Sequence, residues 1–277
     1  MNAPRVGFIG TGNIGEPMVE RLLVTGIPTS VYARKEEVRQ RVAAAGAHLV
    51  DTPHALGECD VVVSCLFTDA QVLEVCPPII ECMKTGSIFV SHTTGSPTSL
   101  RTLDTLATAS GVSIVEAPFS GTPDAVRAGK LTVMLAGDDA AVEKVTSIVK
   151  SYAANVIRTG ALGTALPAKL LNNALFAVCT QLTLSAIEAA QTLGIGEETL
   201  LEVLAVSSGG STAARYIAAS GKDARTYSEN LPRYLIKDLG SIRTVASELG
   251  ADISPLLAAA QLGPMDLSER GEVLTAP

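Results

Sequence analysis

The chain has 277 residues, 47% hydrophobic and 18% charged; this can bury a sizeable core and is far from a disordered composition, and at roughly 100–200 residues per domain the length predicts two domains. A net charge of −7 with no Lys/Arg run longer than two argues against nucleic-acid or anionic-membrane surfaces, and 4% aromatics with no Trp argue against a base-stacking platform. Five cysteines without a C-x-x-C, and three histidines (His48, His54, His92) without ligand spacing, argue against a disulfide framework or a metal site.

The opening MNAPRVGFIG runs straight into a strand, which leaves no room for a signal peptide and predicts a cytoplasmic protein. Val6–Ile9 is apolar and is followed by Gly10 and a helical pattern over 14–23. Further apolar runs lie at 30–33, 60–66, 87–91, 112–115, 131–136 and 155–157, with helices fitting between most of them. Uninterrupted Val/Ile runs of this kind predict strands covered on both faces, in a Rossmann-like doubly wound α/β sheet.

The alternation stops near Gly163. Residues 164–193 carry only Lys169 and Glu188 as charges, and at 1.5 Å per residue form a helix about 45 Å long. That length raises a membrane span, but Asn172, Asn173, Gln181 and Glu188 within it argue for burial against other helices, including those of a second subunit. Helices are expected at 197–205, Thr212–Ala219, 231–249 and 255–267. The expected organisation is a nucleotide-binding domain over 1–162 and an all-α domain over 163–277, joined by the long helix.

Gly10-Thr11-Gly12-Asn13-Ile14-Gly15 is a G-x-G-x-x-G between a strand and a helix, the context that makes it a dinucleotide signal. Gly10 permits the turn, Gly12 the approach of a pyrophosphate, and Gly15 helix-on-strand packing. Asn13 and Ile14 complete the loop, and Leu66, at the end of 60–66, joins the expected cofactor set. Arg34-Lys35 ends the second strand, where an acidic residue would bind the ribose 2′-hydroxyl of NAD. Two cations there favour the 2′-phosphate of NADP(H), with NAD the weaker option; the plainer reading is a solvated helix start with Glu36 and Glu37.

Lys169 is the most anomalous residue, a lysine in the first turns of an apolar helix with Asn172 and Asn173 on the same side. Half-desolvated, it would exchange protons near neutrality as a general acid/base, and the neighbouring amide would orient a hydroxyl or carboxylate; a snorkelling lysine is the structural alternative. Pro118-Phe119-Ser120-Gly121-Thr122 follows a strand end. Backbone N–H groups and the Ser120 and Thr122 hydroxyls could take a substrate carboxylate there. Thr93-Thr94 follows another strand, and His92 beside it is a rival base.

With these stations in order, the chain resembles the β-hydroxyacid dehydrogenase family, which includes 3-hydroxyisobutyrate dehydrogenase and tartronate semialdehyde reductase. FIGTGNIGEPM, HTTGSP, EAPFSGT, GTALPAKLLNN and LIKDLG carry the resemblance from Val6 to about Leu249. It implies Lys169 as the catalytic lysine, Ser120, Gly121 and Asn173 on substrate, and Thr94 and Lys237 at the cofactor. The expected activity is hydride transfer between NADP(H) and a small β-hydroxy acid or its semialdehyde or keto form, in a homodimer or homotetramer. The family loop S-G-G-x-x-G-A reads Ser120-Gly121-Thr122-Pro123-Asp124-Ala125-Val126 here, so Thr122 and Ala125 replace glycines and the family's named substrates are placed in doubt. Imine reductases resemble the same architecture but usually lack the lysine. 6-Phosphogluconate dehydrogenase is related, with a far longer helical part. A non-catalytic scaffold would have lost Lys169 or Asn173.

Overall fold

The computed structural model describes residues 4–268; the first three residues of the expected N-terminal domain and the last nine of the C-terminal one lie outside it. The chain divides into two compact units, Met1–Lys169 and Leu170–Pro277.

The first unit runs β1 (Val6–Ile9), α1 (Gly15–Val24), β2 (Thr29–Tyr32), α2 (Glu36–Ala44), β3 (His48–Leu49), a 3-10 turn (Pro53–Glu58), β4 (Val61–Ser64), α3 (Asp69–Val75), α4 (Pro77–Cys82), β5 (Ile88–Ser91), α5 (Pro97–Ala109) and β6 (Ser113–Glu116). β7 (Phe119–Ser120), α6 (Pro123–Arg127), β8 (Leu131–Gly137), α7 (Asp139–Val149), β9 (Ala153–Gly160) and the start of α8 (Ala165–Thr192) follow. The sheet order begins β3-β2-β1-β4-β5-β6, all parallel. The chain therefore reverses direction across the sheet between β1 and β4, the switch point at which open α/β sheets bind ligands.

Alternate residues along these strands enter opposite cores, as a period of two requires. Phe8, Val61, Val63, Ile88, Val90 and Val115 join one cluster, while Ile9, Val62, Phe89 and Ile114 join the other. This is why the runs are apolar throughout rather than alternating.

β8 lies antiparallel to β6 and β7 and parallel to β9, so β8 and β9 run opposite to the parallel set from β3 to β6. Two expectations need correction. The segment expected as a plain loop after Pro118 contains β7 and α6, because Thr122 caps α6 and Pro123 starts it. The strand expected at 155–157 extends over β9, which pairs with β8 from Leu131 to Ala136.

In the second unit, α8 continues from Leu170 and is followed by α9 (Glu197–Val206), α10 (Thr212–Ala219), α11 (Ala224–Ser228), α12 (Pro232–Leu249) and α13 (Ser254–Ala259). The helix expected over 255–267 stops at Ala259. Gln181 of α8 explains the stop: it is fully buried, and its amide donates to the carbonyls of Ala260 (3.0 Å) and Met265 (2.7 Å) and accepts from Met265 N (3.0 Å). A Cβ on Gly263 would stand 2.5 Å from Gln181 Oε1, so the tail bends tightly over this amide. α8 is long and apolar enough to cross a membrane by composition, yet half of its most apolar stretch is buried within the fold.

Candidate active site

Two glycines of the loop after β1 are dictated by the chain itself. Gly10 has φ +96°, and a Cβ there would lie 2.2 Å from the Cys65 carbonyl oxygen; one on Gly15 would lie 1.9 Å from Gly10 O. Gly12 differs: a Cβ on it would meet nothing within 4 Å, so internal packing gives no reason for glycine. The space it leaves fits the close approach of a pyrophosphate. Ile14 occupies the N-cap position of α1 and offers no side-chain hydrogen bond, while the Glu16 N–H in the first turn donates to the Gly12 carbonyl at 3.0 Å. Asn13 is exposed on the loop and Ile14 packs against the core beneath it.

A cleft of about 420 Å³ lies beside this loop, lined by Gly12, Asn13, Glu16, Arg41, Pro123 and Arg127 among others. Arg41 grips Glu16 through two bonds, Nε–Oε1 at 2.5 Å and Nη2–Oε2 at 2.8 Å, and holds its carboxyl below the usual range. That neutralises a carboxylate in the first turn of α1, where an anion would otherwise be repelled. The sequence reading missed this pair because its members are 25 residues apart. Arg34 and Lys35 follow β2 with both side chains exposed, while Glu36 turns along α2 to Arg39 (3.7 Å) and Gln40 (3.2 Å).

The register sets Ile9, Ser64, Ser91 and Glu116 in one row across β1, β4, β5 and β6. The segments leaving this row carry Gly10, Leu66, Thr94 and the Ser120 loop, so one sheet edge gathers residues scattered in sequence. The Thr93 hydroxyl donates to the Leu66 carbonyl at 2.9 Å and ties two strand ends together. Thr94 and Lys169 are both half-buried, and the Lys169 ammonium donates to Thr94 Oγ1.

Glu116, to which the sequence reading gave no role, is 4% exposed. Its Oε2 accepts from Gly163 N (3.1 Å) and Ala165 N (3.0 Å), and its Oε1 from Leu166 N (2.9 Å). Burial pushes its pKa up and the three N–H groups oppose that. An acidic residue closing an otherwise apolar strand was the available signal.

His92 is corrected as a rival base. It is 2% exposed, with Nδ1 2.5 Å from the Ala117 carbonyl and Nε2 3.0 Å from the Tyr152 hydroxyl, between the rings of Phe119 and Tyr152. Burial pushes its pKa down to about 4. A neutral ring with both nitrogens engaged inside the core is a packing element.

Ser120 pairs with Thr132 of β8 and is exposed. Gly121 has φ +141°, and a Cβ there would meet Leu131 Cδ2 at 2.5 Å, so glycine is required by the fold at this point. The Thr122 hydroxyl accepts from Ala125 N at 3.3 Å, which leaves its proton to donate. In the second unit, Asn173 Nδ2 donates to Asp238 Oδ2 at 2.8 Å, and Asn172 Nδ2 to Asn173 Oδ1 at 3.1 Å. Asp238, also missed from sequence, thereby fixes which way the Asn173 amide points. Lys237 is its half-buried neighbour on α12.

Comparison with known proteins gives matches along both units. The model for the NAD-binding domain of 6-phosphogluconate dehydrogenase matches residues 5–160. That for the NAD-binding region of NADP-dependent 3-hydroxyisobutyrate dehydrogenase matches residues 163–270. The mitochondrial 3-hydroxyisobutyrate dehydrogenase of Bos taurus is 30% identical over 208 residues, 74% of this chain and 62% of the relative; the match thus spans about three-fifths of that protein's length. The NAD-dependent L-serine dehydrogenase of Pseudomonas aeruginosa is 28% identical over 91% of this chain and 88% of its own. Among solved structures, the 3-hydroxyisobutyrate dehydrogenase of Mycobacterium tuberculosis with L-serine superposes with a TM-score of 0.83 at 25% identity, over 94% of this chain and 91% of that one.

Proposed function

Because this chain belongs to the β-hydroxyacid dehydrogenase family, we propose that it is an oxidoreductase moving a hydride between NADP(H) and a small β-hydroxy acid or its semialdehyde or keto form. The observation that carries this reading is the half-buried Lys169, with its ammonium on the Thr94 hydroxyl at the end of β5. A bound nicotinamide supplies or accepts the hydride. In oxidation the uncharged amine of Lys169 takes the proton of the substrate hydroxyl, and in reduction its ammonium returns one to the carbonyl oxygen. The Ser120 hydroxyl, the Gly121 N–H and the Thr122 hydroxyl hold the carboxylate. Asn173, one turn beyond Lys169 on the same helix, holds the substrate hydroxyl with an amide oriented by Asp238.

Gly10, Gly12, Asn13, Ile14 and Gly15 form the pyrophosphate cradle. The preference for NADP(H) over NAD(H) rests on Arg34 and Lys35, whose exposed charges suit a 2′-phosphate. The substrates named for the relatives, 3-hydroxyisobutyrate and L-serine, are both carboxylates with a β-hydroxyl, which supports that substrate class. The exact acid is expected to differ, since Thr122 and Ala125 build a capped helix start where the family loop has glycine.

A panel of small hydroxy acids and semialdehydes, followed by NADPH absorbance, tests the proposal. Turnover of at least one member is expected, with weak turnover of 3-hydroxyisobutyrate and tartronate semialdehyde. Tight cofactor binding without turnover of any member would favour a non-catalytic role.

A further inference from the structure

The carboxylate of Glu116 has no place in the hydride or proton transfer just described, yet it is among the most buried charged groups of the first unit. Burying a carboxylate is costly unless hydrogen bonds compensate. Here all three come from one short stretch, the N–H groups of Gly163, Ala165 and Leu166 at the start of α8. Leu166 is three residues before Lys169, less than one turn. On the other side, Glu116 pairs in register with Ser91 of the neighbouring β5, and Thr94 is three residues beyond Ser91. Both members of the Lys169–Thr94 contact are thus referred to the same pair of strand ends, one through the chain after β5 and the other through the Glu116 carboxylate.

The geometry points to Glu116 as a positioning residue whose carboxylate anchors the first turn of α8 to the end of β6 and so fixes where Lys169 meets Thr94. This rests on the reading of Lys169 as the proton-transfer group. Glu116 does not serve as that group itself. The cavity beside it, about 20 Å³ and lined by Ser91, Thr93, Glu116 and Leu166 among others, has room for about one water. A carboxylate is suited to this task because it accepts on both oxygens and donates on neither. An amide in its place would turn an NH₂ toward at least one of the same backbone N–H groups.

The test compares wild type with Glu116→Gln, Glu116→Asp and Lys169→Ala. Four quantities are read: kcat, KM, the NADPH dissociation constant by cofactor fluorescence, and the pH profile of Lys169 acetylation by acetic anhydride, followed by peptide mass. In Glu116→Gln, kcat should fall roughly 10- to 100-fold, the scale of a reacting group displaced by about 1 Å. The midpoint of Lys169 labelling should shift while NADPH affinity stays within about twofold of wild type, because the glycine loop is untouched. Glu116→Asp, which keeps both acceptor oxygens on a shorter stem, should recover part of the rate. A folded Glu116→Gln with wild-type kcat and wild-type labelling overturns the inference. So does a loss of kcat, cofactor affinity and melting temperature in parallel, or failure of both variants to fold, since the carboxylate would then serve the fold as a whole. An inactive Lys169→Ala beside a fully active Glu116→Gln sinks only this inference, whereas a fully active Lys169→Ala removes the reading beneath it as well.

Discussion

Arg34 and Lys35 stand exposed just after β2, where their charges are open to a ligand. Arg34→Asp should therefore weaken NADPH binding far more than NADH binding, as read by fluorescence titration of each cofactor; equal wild-type affinities would contradict the assignment. His92 makes a prediction of the opposite kind, about stability alone. Its folded pKa of about 4 lies below the ordinary 6.5, so the unfolded chain binds the proton first. The stability contributed by the neutral ring is complete above pH 6.5 and is lost as pH falls from 6.5 through 4. The full loss is about 3 kcal/mol for a shift of this size. Urea unfolding at a series of pH values should show this slope in wild type and lose most of it in His92→Asn; an unchanged slope would place the titrating group elsewhere.

At the scale of elements, the glycine loop separates two demands that the motif alone merges. Gly15→Ala should destabilise the fold, because its Cβ would fall on the Gly10 carbonyl oxygen, whereas Gly12→Ala points into open space. Gly12→Ala should keep the wild-type melting temperature and lose cofactor affinity; normal affinity in that variant would contradict the cradle. The parallel strands, their order of helices and α8 were legible in the sequence because Val/Ile runs and long apolar periodicity report burial directly. β7 and α6 were not, since a two-residue strand and a five-residue helix leave no periodicity, although Thr122-Pro123 was a readable cap. The early end of α13 was also hidden, because Gln181 acts from about 80 positions away through its bonds to Ala260 and Met265. The same distance effect hid the contacts of Glu116, Arg41 and Asp238, whose partners are brought by the fold, while Lys169, Thr94 and Ser120 stood out as candidates through residue type and a strand or helix end.

For the molecule as a whole, the face of α8 that carries Leu171, Leu175 and Leu182 matters most. These leucines are 42%, 52% and 50% exposed and share one side of the helix at spacings of four and seven. A dimer or tetramer built on this stripe is expected, and light scattering at micromolar concentration should give a multiple of the chain mass that Leu175→Glu lowers; a monomeric wild type would contradict it. In the proposed mechanism Lys169 moves the proton while the first unit holds the cofactor. This mechanism is tested most directly by turnover and NADPH affinity of Lys169→Ala and Lys169→Arg, measured on whichever acid the substrate panel identifies. Lys169→Ala should lose roughly 10²–10⁴-fold in kcat, with NADPH affinity nearly unchanged. Lys169→Arg should give no rescue, because a guanidinium holds its proton too tightly to transfer it near neutral pH. An active Lys169→Arg enzyme would remove Lys169 from the proton transfer.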